Sequence, residues 1–306
     1  MRIVFMGTPD YATCILAKIL TLQNVSVPLV LTQPDKPIGR KQILTPPHIK
    51  KWLLKNNIAT EIFQPHSLRE TGVKETIVSF DPDLIIVAAY GQILPKEILD
   101  IAPCINLHAS ILPSYRGASP IQSSILNQDQ WSGVTAMLME EGLDSGDILA
   151  MRYVALGDKN VGELFDVLAR AAADLSLRVI QDFQSLHPVS QMNANASYCK
   201  KIKKNDGLIQ AFDDAEKIYT KYKAFTPWPG IFLQSGLKIK ALTLGEDKQA
   251  LHNNAGMIDT ILENSITVLC HKGSLKIKKV QAPSKKEITA SEYIRGKRQK
   301  NGDLLV

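Results

Sequence analysis

A chain of 306 residues is too long for one core of about 100 to 200 residues, so two domains are expected. With 45% apolar and 22% charged side chains it has a globular composition, and no apolar run approaches the roughly 18 residues of a membrane span. The net charge of +6 is unevenly placed: residues 1–196 carry 16 Lys and Arg against 19 Asp and Glu, while residues 197–306 carry 20 against 11.

The first residues, Arg2-Ile3-Val4-Phe5-Met6-Gly7, form a strand entering a turn rather than a signal peptide, so the expected location is cytoplasmic. Gly7-Thr8-Pro9-Asp10 then leads into a helix through about Leu22; without the G-x-G-x-x-G glycines this turn is no dinucleotide site. Further apolar runs at Val27–Thr32, Leu84–Ala89, Cys104–His108 and Val134–Met139 alternate with helix-like stretches. That order predicts an α/β domain built on a mostly parallel, Rossmann-like sheet. Residues 84 to 88 are expected in the core and 89 to 95 at the rim. From Val161, the stripe Leu164, Phe165, Leu168, Ala172, Leu175 and Val179 predicts a packing helix, with Asp158 or Asn160 at its cap.

Periodicity is lost over Gln184–Ser197, where Pro188 and several Asn and Ser residues occur. We therefore divide the chain into a catalytic domain at 1–184, a linker at 185–206 and a second domain at 207–306. Short strands at Ile231–Leu233, Leu237–Leu242, Met257–Ile261, Ile266–His271 and Ser274–Gln281 suggest a small OB-like β-barrel there. In the last of these, Leu275 and Ile277 alternate with Lys276 and Lys278. Its basic charge suits a polyanionic partner, although a merely solvated lysine surface has the same composition. Cys14, Cys104, Cys199 and Cys270 and the six histidines lack metal-ligand spacing, so reduced thiols and no metal are expected.

Two polar side chains interrupt the apolar strand at Cys104–His108. Asn106 and His108, two residues apart, leave the same face of a sheet, and an amide and an imidazole together can donate to a carbonyl oxygen that becomes negative during acyl transfer. Taken alone, an Asn-x-His pair is also what a satisfied strand end looks like. Downstream, Gly133–Asp147 is a strand running into the acidic loop Glu140-Glu141-Gly142-Leu143-Asp144-Ser145-Gly146-Asp147, whose Asp144 is a candidate partner for His108. Asp and Gly are equally the residues of an ordinary turn.

The two segments, in this order and separation, resemble the signature of the 10-formyltetrahydrofolate-dependent formyltransferases. Met6-Gly7-Thr8-Pro9-Asp10 is similar to that family's first motif, with Tyr11 where Phe is frequent. The resemblance implies a catalytic trio of Asn106, His108 and Asp144, with 10-formyltetrahydrofolate as formyl donor. It also implies folate contacts from Ser110-Ile111-Leu112-Pro113 and from Tyr90, Gly91 and Gln92. Thr32-Gln33-Pro34-Asp35-Lys36-Pro37-Ile38-Gly39-Arg40 resembles the insertion loop by which members acting on initiator methionyl-tRNA enter the acceptor arm. Lys203–Ile209, Ala224–Gly230, Gly273-Ser274-Leu275 and Lys285-Lys286 resemble landmarks of the C-terminal domain of those members, so the likeness spans nearly the whole chain.

What it implies is transfer of the formyl group to the α-amino group of methionine on initiator tRNA, for translation initiation. Arg40, Lys41, Lys203, Lys204, Lys285 and Lys286 are then the candidate tRNA contacts, and the protein is expected to be a monomer. Three positions depart from the pattern. Arg40 is followed by Lys41-Gln42-Ile43 rather than Gly and two basic residues, Ile111 stands for a Leu, and Gln210-Ala211-Phe212 replaces a frequent Trp. The rival reading keeps the trio but changes the acceptor to a nucleotide-sugar amine or another small amine; a second rival is an idle tRNA-binding protein. An Arg such as Arg116 in a polar turn either closes the site or faces water.

Overall fold

The first strand, β1 (Arg2–Gly7), has five consecutive buried residues, the signature of a strand covered on both faces. In the computed structural model, which describes residues 1–39, 41–246 and 250–305, it lies near the middle of a seven-stranded sheet. After it come α1 (Asp10–Ile19), β2 (Ser26–Leu31), a hairpin of β3 (Lys36–Ile38) and β4 (Ile43–Thr45), α2 (His48–Lys55) and β5 (Glu61–Phe63). Then follow α3 (Val73–Ser79), β6 (Leu84–Ala88), α4 (Lys96–Leu99), β7 (Cys104–His108), β8 (Arg116–Gly117), α5 (Pro120–Leu126), β9 (Trp131–Leu138), β10 (Ile148–Ala155), α6 (Val161–Asp182) and β11 (Tyr198–Cys199).

The sheet order is β10-β9-β7-β6-β1-β2-β5. The pairs from β7 through β5 are parallel, whereas β9 runs antiparallel to both β7 and β10. The β9–β10 connection is too short for a crossover, so its strands must run antiparallel. Strand parity sets the core: Val4, Leu29 and Ile85 share one face with Met6, Leu31 and Val87, and α3 and α4 add Val73, Ile77 and Ile98 to that cluster. Phe5, Val30, Ile86 and Ile105, in register with one another, occupy the opposite face and are at most 1% exposed.

Of the expected α6 stripe, Leu164, Leu168, Ala172, Leu175 and Val179 are buried while Val161 and Phe165 are only half-buried, and Gly162 N donates to Asn160 Oδ1 at 2.9 Å. The stretch from Thr32 to Arg40, expected as a loop, contains β3, which pairs with β4 and leaves Ile38, Ile43 and Leu44 about 60% exposed. Within 185–206, β11 pairs in parallel with β8, and Val189 bridges Ile148.

Contacts divide the chain into two compact units, residues 1–120, 130–157 and 163–199 on one side and residues 121–129, 158–162 and 200–306 on the other. The second unit holds α7 (Ala215–Phe225), β12 (Ile231–Phe232), β13 (Lys238–Leu244), β14 (Ile258–Ile261), β15 (Ile266–Leu269), β16 (Ser274–Gln281), β17 (Ile288–Thr289) and α8 (Ala290–Gly296). Its six strands form an antiparallel sheet ordered β12-β13-β16-β15-β14, with β17 on β16. Leu275 and Ile277 are buried as alternation requires. A register slip opposite Ala241–Leu242 then turns both Lys278 and Lys279 outward before Val280 is buried again. Among the described residues no helix is long and apolar enough to cross a membrane.

Candidate active site

Strand β7 delivers Asn106 and His108 to the carboxyl end of the parallel strands, where open α/β sheets bind ligands. The β9–β10 loop returns across the same end and brings Asp144 beside them. A Cβ at Gly146 would strike the Leu138 carbonyl, so only glycine lets the loop fold this closely onto β9. Asn106 Nδ2 donates to Asp144 Oδ1 at 3.3 Å, Gly117 N donates to Asp144 Oδ2 at 2.8 Å, and His108 Nδ1 stands 3.7 Å from Oδ2. The side chains of His108 and Asp144 are only 7% and 13% exposed, so water screens their interaction weakly. The sequence-predicted trio is thus brought together across 38 residues of chain.

The imidazole faces two ways. Its Nε2 is 2.9 Å from the Tyr115 carbonyl, which only accepts, so Nε2 carries a hydrogen and Nδ1 is the nitrogen turned to Asp144. Behind β7, the Tyr11 hydroxyl donates to the Leu107 carbonyl at 3.3 Å and its ring meets Phe165 edge-on. Burial, with a smaller contribution from Cys14, pushes the Tyr11 phenol far above its usual range, so it stays neutral and structural.

The residues expected at a folate slot divide by burial. Tyr90 was expected at the rim, but at 2% exposure it belongs to the core cluster that also holds Met6, Leu31 and Val87. Ser110 is 2% exposed and donates to Ser114 O at 2.6 Å, and Leu112 is equally buried with its N–H on Thr135 Oγ1 at 3.1 Å. The Gln92 amide is engaged with Leu68 N and with the carbonyls of Pro65 and His66. That leaves Gly91, with open space where a Cβ would stand, the half-buried Ile111 and Pro113, and Ile93 at 80% exposure as the accessible surface. A separate concavity at Lys74, Asp81, Glu97 and Asp100 lies beside the amino end of β6, away from the trio.

Lys41, Lys203, Lys204, Lys285 and Lys286 are all exposed, while Arg40 lies outside the described residues. Sequence reasoning left Arg116 undecided between closing the site and facing water. It is 2% exposed, and the residues that enclose it, Gln191, Asn193 and Tyr198, come from the stretch expected as linker. No local period marks them.

An amide, an imidazole and a carboxylate thus converge at the carboxyl end of a mostly parallel sheet, an arrangement that suits group transfer. Residues 1–180 match the model described as formyl transferase, and residues 201–298 match the formyl transferase C-terminal domain. The chain is 54% identical to the methionyl-tRNA formyltransferase of Nitratiruptor sp. and 51% identical to that of Sulfurimonas denitrificans, each alignment covering 100% of both chains. A solved N-formyltransferase from Helicobacter canadensis, in complex with folinic acid and dTDP-3-aminofucose, superposes with a TM-score of 0.65 at 17% identity, covering 90% of this chain and 98% of that one. The chain belongs to the methionyl-tRNA formyltransferase group of the formyl transferase family.

Proposed function

We infer that the protein transfers a formyl group from a folate donor, 10-formyltetrahydrofolate, to the α-amino group of methionine carried by initiator tRNA. The observation that carries this reading is 54% identity to a methionyl-tRNA formyltransferase along the full length of both chains. The sugar-modifying neighbour, at 17% identity, shares the fold alone.

The nucleophile is the acceptor's own amine, so the chemistry needs no Ser or Cys of the chain. An α-amino group titrates near 7.7 to 8.0 in model peptides, so a useful fraction is neutral at physiological pH and the enzyme has mainly to position it. Attack on the formyl carbon places negative charge on its oxygen. Asp144 takes one of the two amide hydrogens of Asn106, leaving the other for that oxygen. His108 provides a second donor by exchanging the Tyr115 carbonyl for the developing oxyanion at Nε2. Asp144, facing Nδ1, orients the ring and balances its charge while a water carries the proton from the amine to the leaving nitrogen.

The pterin rests against the backbone at Gly91 and Gln92 and against Ile111 and Pro113, the surface that burial leaves accessible. The exposed Lys203, Lys204, Lys285 and Lys286 meet tRNA phosphates. Arg40 and Lys41 serve the amino-acid end, as the resemblance implies. The test is a single-turnover assay offering 10-formyltetrahydrofolate with either charged initiator tRNA or a nucleotide-linked amino sugar. Formylation of the methionyl-tRNA is expected, and a preference for the sugar would overturn the reading.

A further inference from the structure

Arg116 is the most completely buried cation beside the trio, and among the described residues it pairs with no carboxylate. Its guanidinium is held instead by neutral groups of the segment beyond α6. Nε and Nη2 donate to Gln191 Oε1 at 3.0 and 2.8 Å, Nη2 also donates to Asn193 Oδ1 at 2.9 Å, and Nη1 donates to the Tyr198 hydroxyl at 3.4 Å. A two-pronged grip of this kind fixes the orientation as well as the position of the amide it holds.

The other end of that amide points at the catalytic loop. Gln191 Nε2 donates to the carbonyl oxygens of Asp144 at 2.9 Å and Gly146 at 2.7 Å. Both hydrogens of the Gln191 amide are therefore used on the loop, and its oxygen is used on Arg116. The loop needs such a restraint, because Asp144 sits at φ +50, a left-handed conformation that an L-residue keeps only when its surroundings impose it. Gly117, next to Arg116, donates its N–H to the Asp144 carboxylate, so the same β8 segment fixes the loop at its side chain and, through Gln191, at its backbone.

We propose that Gln191, locked by Arg116, is a positioning residue for formyl transfer: it holds the backbone of the Asp144 turn so that the carboxylate stays aimed at Asn106 and His108. This rests on the reading of Asp144 as part of the catalytic trio. Gln191 itself touches no reacting atom. A displacement of about 1 Å in such a loop is enough to cost on the order of 10²-fold in rate, while binding surfaces elsewhere are unaffected.

The experiment compares Gln191→Ala, Gln191→Glu, Asp144→Asn and the double variant Asp144→Asn/Gln191→Ala in the full chain, with kcat and both KM values measured on folate donor and charged initiator tRNA. Gln191→Ala is expected to lose roughly 10- to 100-fold in kcat with both KM values within about 3-fold of the parent. Gln191→Glu keeps the oxygen that Arg116 grips but has no N–H for the loop; it is expected to fall as far as Ala, and being near-isosteric it serves alone if the Ala variant does not fold. The double variant is expected to be no slower than Asp144→Asn within about 2-fold, the non-additivity of two residues acting as one unit. Full rescue by Gln191→Glu, multiplicative losses in the double variant, or a parent-like kcat in Gln191→Ala each overturns the proposal while leaving the trio standing. A parent-like Asp144→Asn overturns the trio reading itself.

Discussion

Replacing Asp144 with Asn removes one oxygen and one charge from a junction where each atom has a partner. The carboxylate accepts from Asn106 at Oδ1 and from Gly117 N at Oδ2 while facing His108 Nδ1 at 3.7 Å. An amide retains a single oxygen, so either Asn106 or Gly117 is left with its N–H against an NH2, a loss of about 1 to 3 kcal/mol for a buried donor without an acceptor. The charge effect is larger. Two unit charges at this separation interact by about 4 kcal/mol at an effective dielectric near 20, and by only about 1 kcal/mol in water. With both side chains nearly buried, the support that Asp144 lends to the His108 ring when both of its nitrogens carry hydrogen lies between those bounds. A loss of about 2 to 4 kcal/mol corresponds to roughly 30- to 1,000-fold in kcat. Single-turnover formylation at saturating donor and methionyl-tRNA measures it, with circular dichroism confirming the fold. A folded Asp144→Asn enzyme within about 3-fold of the parent would refute the assignment of Asp144 as the charge partner of His108.

Gly117→Ala is expected to destabilise the first unit by about 2 to 4 kcal/mol, because φ is +117 and the new Cβ would collide with the Cys199 carbonyl oxygen; denaturant unfolding reads the change, and an unshifted midpoint contradicts it. Lys285→Ala/Lys286→Ala is expected to raise KM for methionyl-tRNA and to flatten its salt dependence by about one to two counterions, leaving the folate KM unchanged; an equal effect on both substrates argues against a phosphate contact. Hydrogen bonds from Gln64 and Lys50 hold the Asp35 carboxyl below its usual range, so the stability it contributes is present above pH about 4 and is lost as pH falls through the lowered folded value. Lys50→Met is therefore expected to make acid unfolding shallower near the base of the β3–β4 hairpin, measured by hydrogen exchange at residues 33–46.

The alternation of short apolar strands with helical stretches, the α6 stripe and the inward parity of Leu275 and Ile277 were legible because each is a local period that one buried face imposes. Asn106 and His108 were legible for the same reason: two polar side chains at strand spacing are conspicuous in an apolar run. The sequence therefore determined by itself the kind of sheet, the face on which the amide and imidazole emerge, and the basic character of the second unit.

The tertiary structure decided the rest. Asp144 reaches the trio from a loop 38 residues away, and its aim depends on a glycine packed against β9 and on donors from β8. Tyr90 leaves the rim for the buried cluster under the sheet, which is assembled from strands and helices distant in the chain. Arg116 is buried because residues 191–198 fold back over it, although nothing in that stretch of Asn, Ser and Gln departs from a linker's composition. Periodicity reports which side of its own element a residue faces. Burial of a charge and the aim of a carboxylate are set by partners distant in the chain, and only packing brings those together.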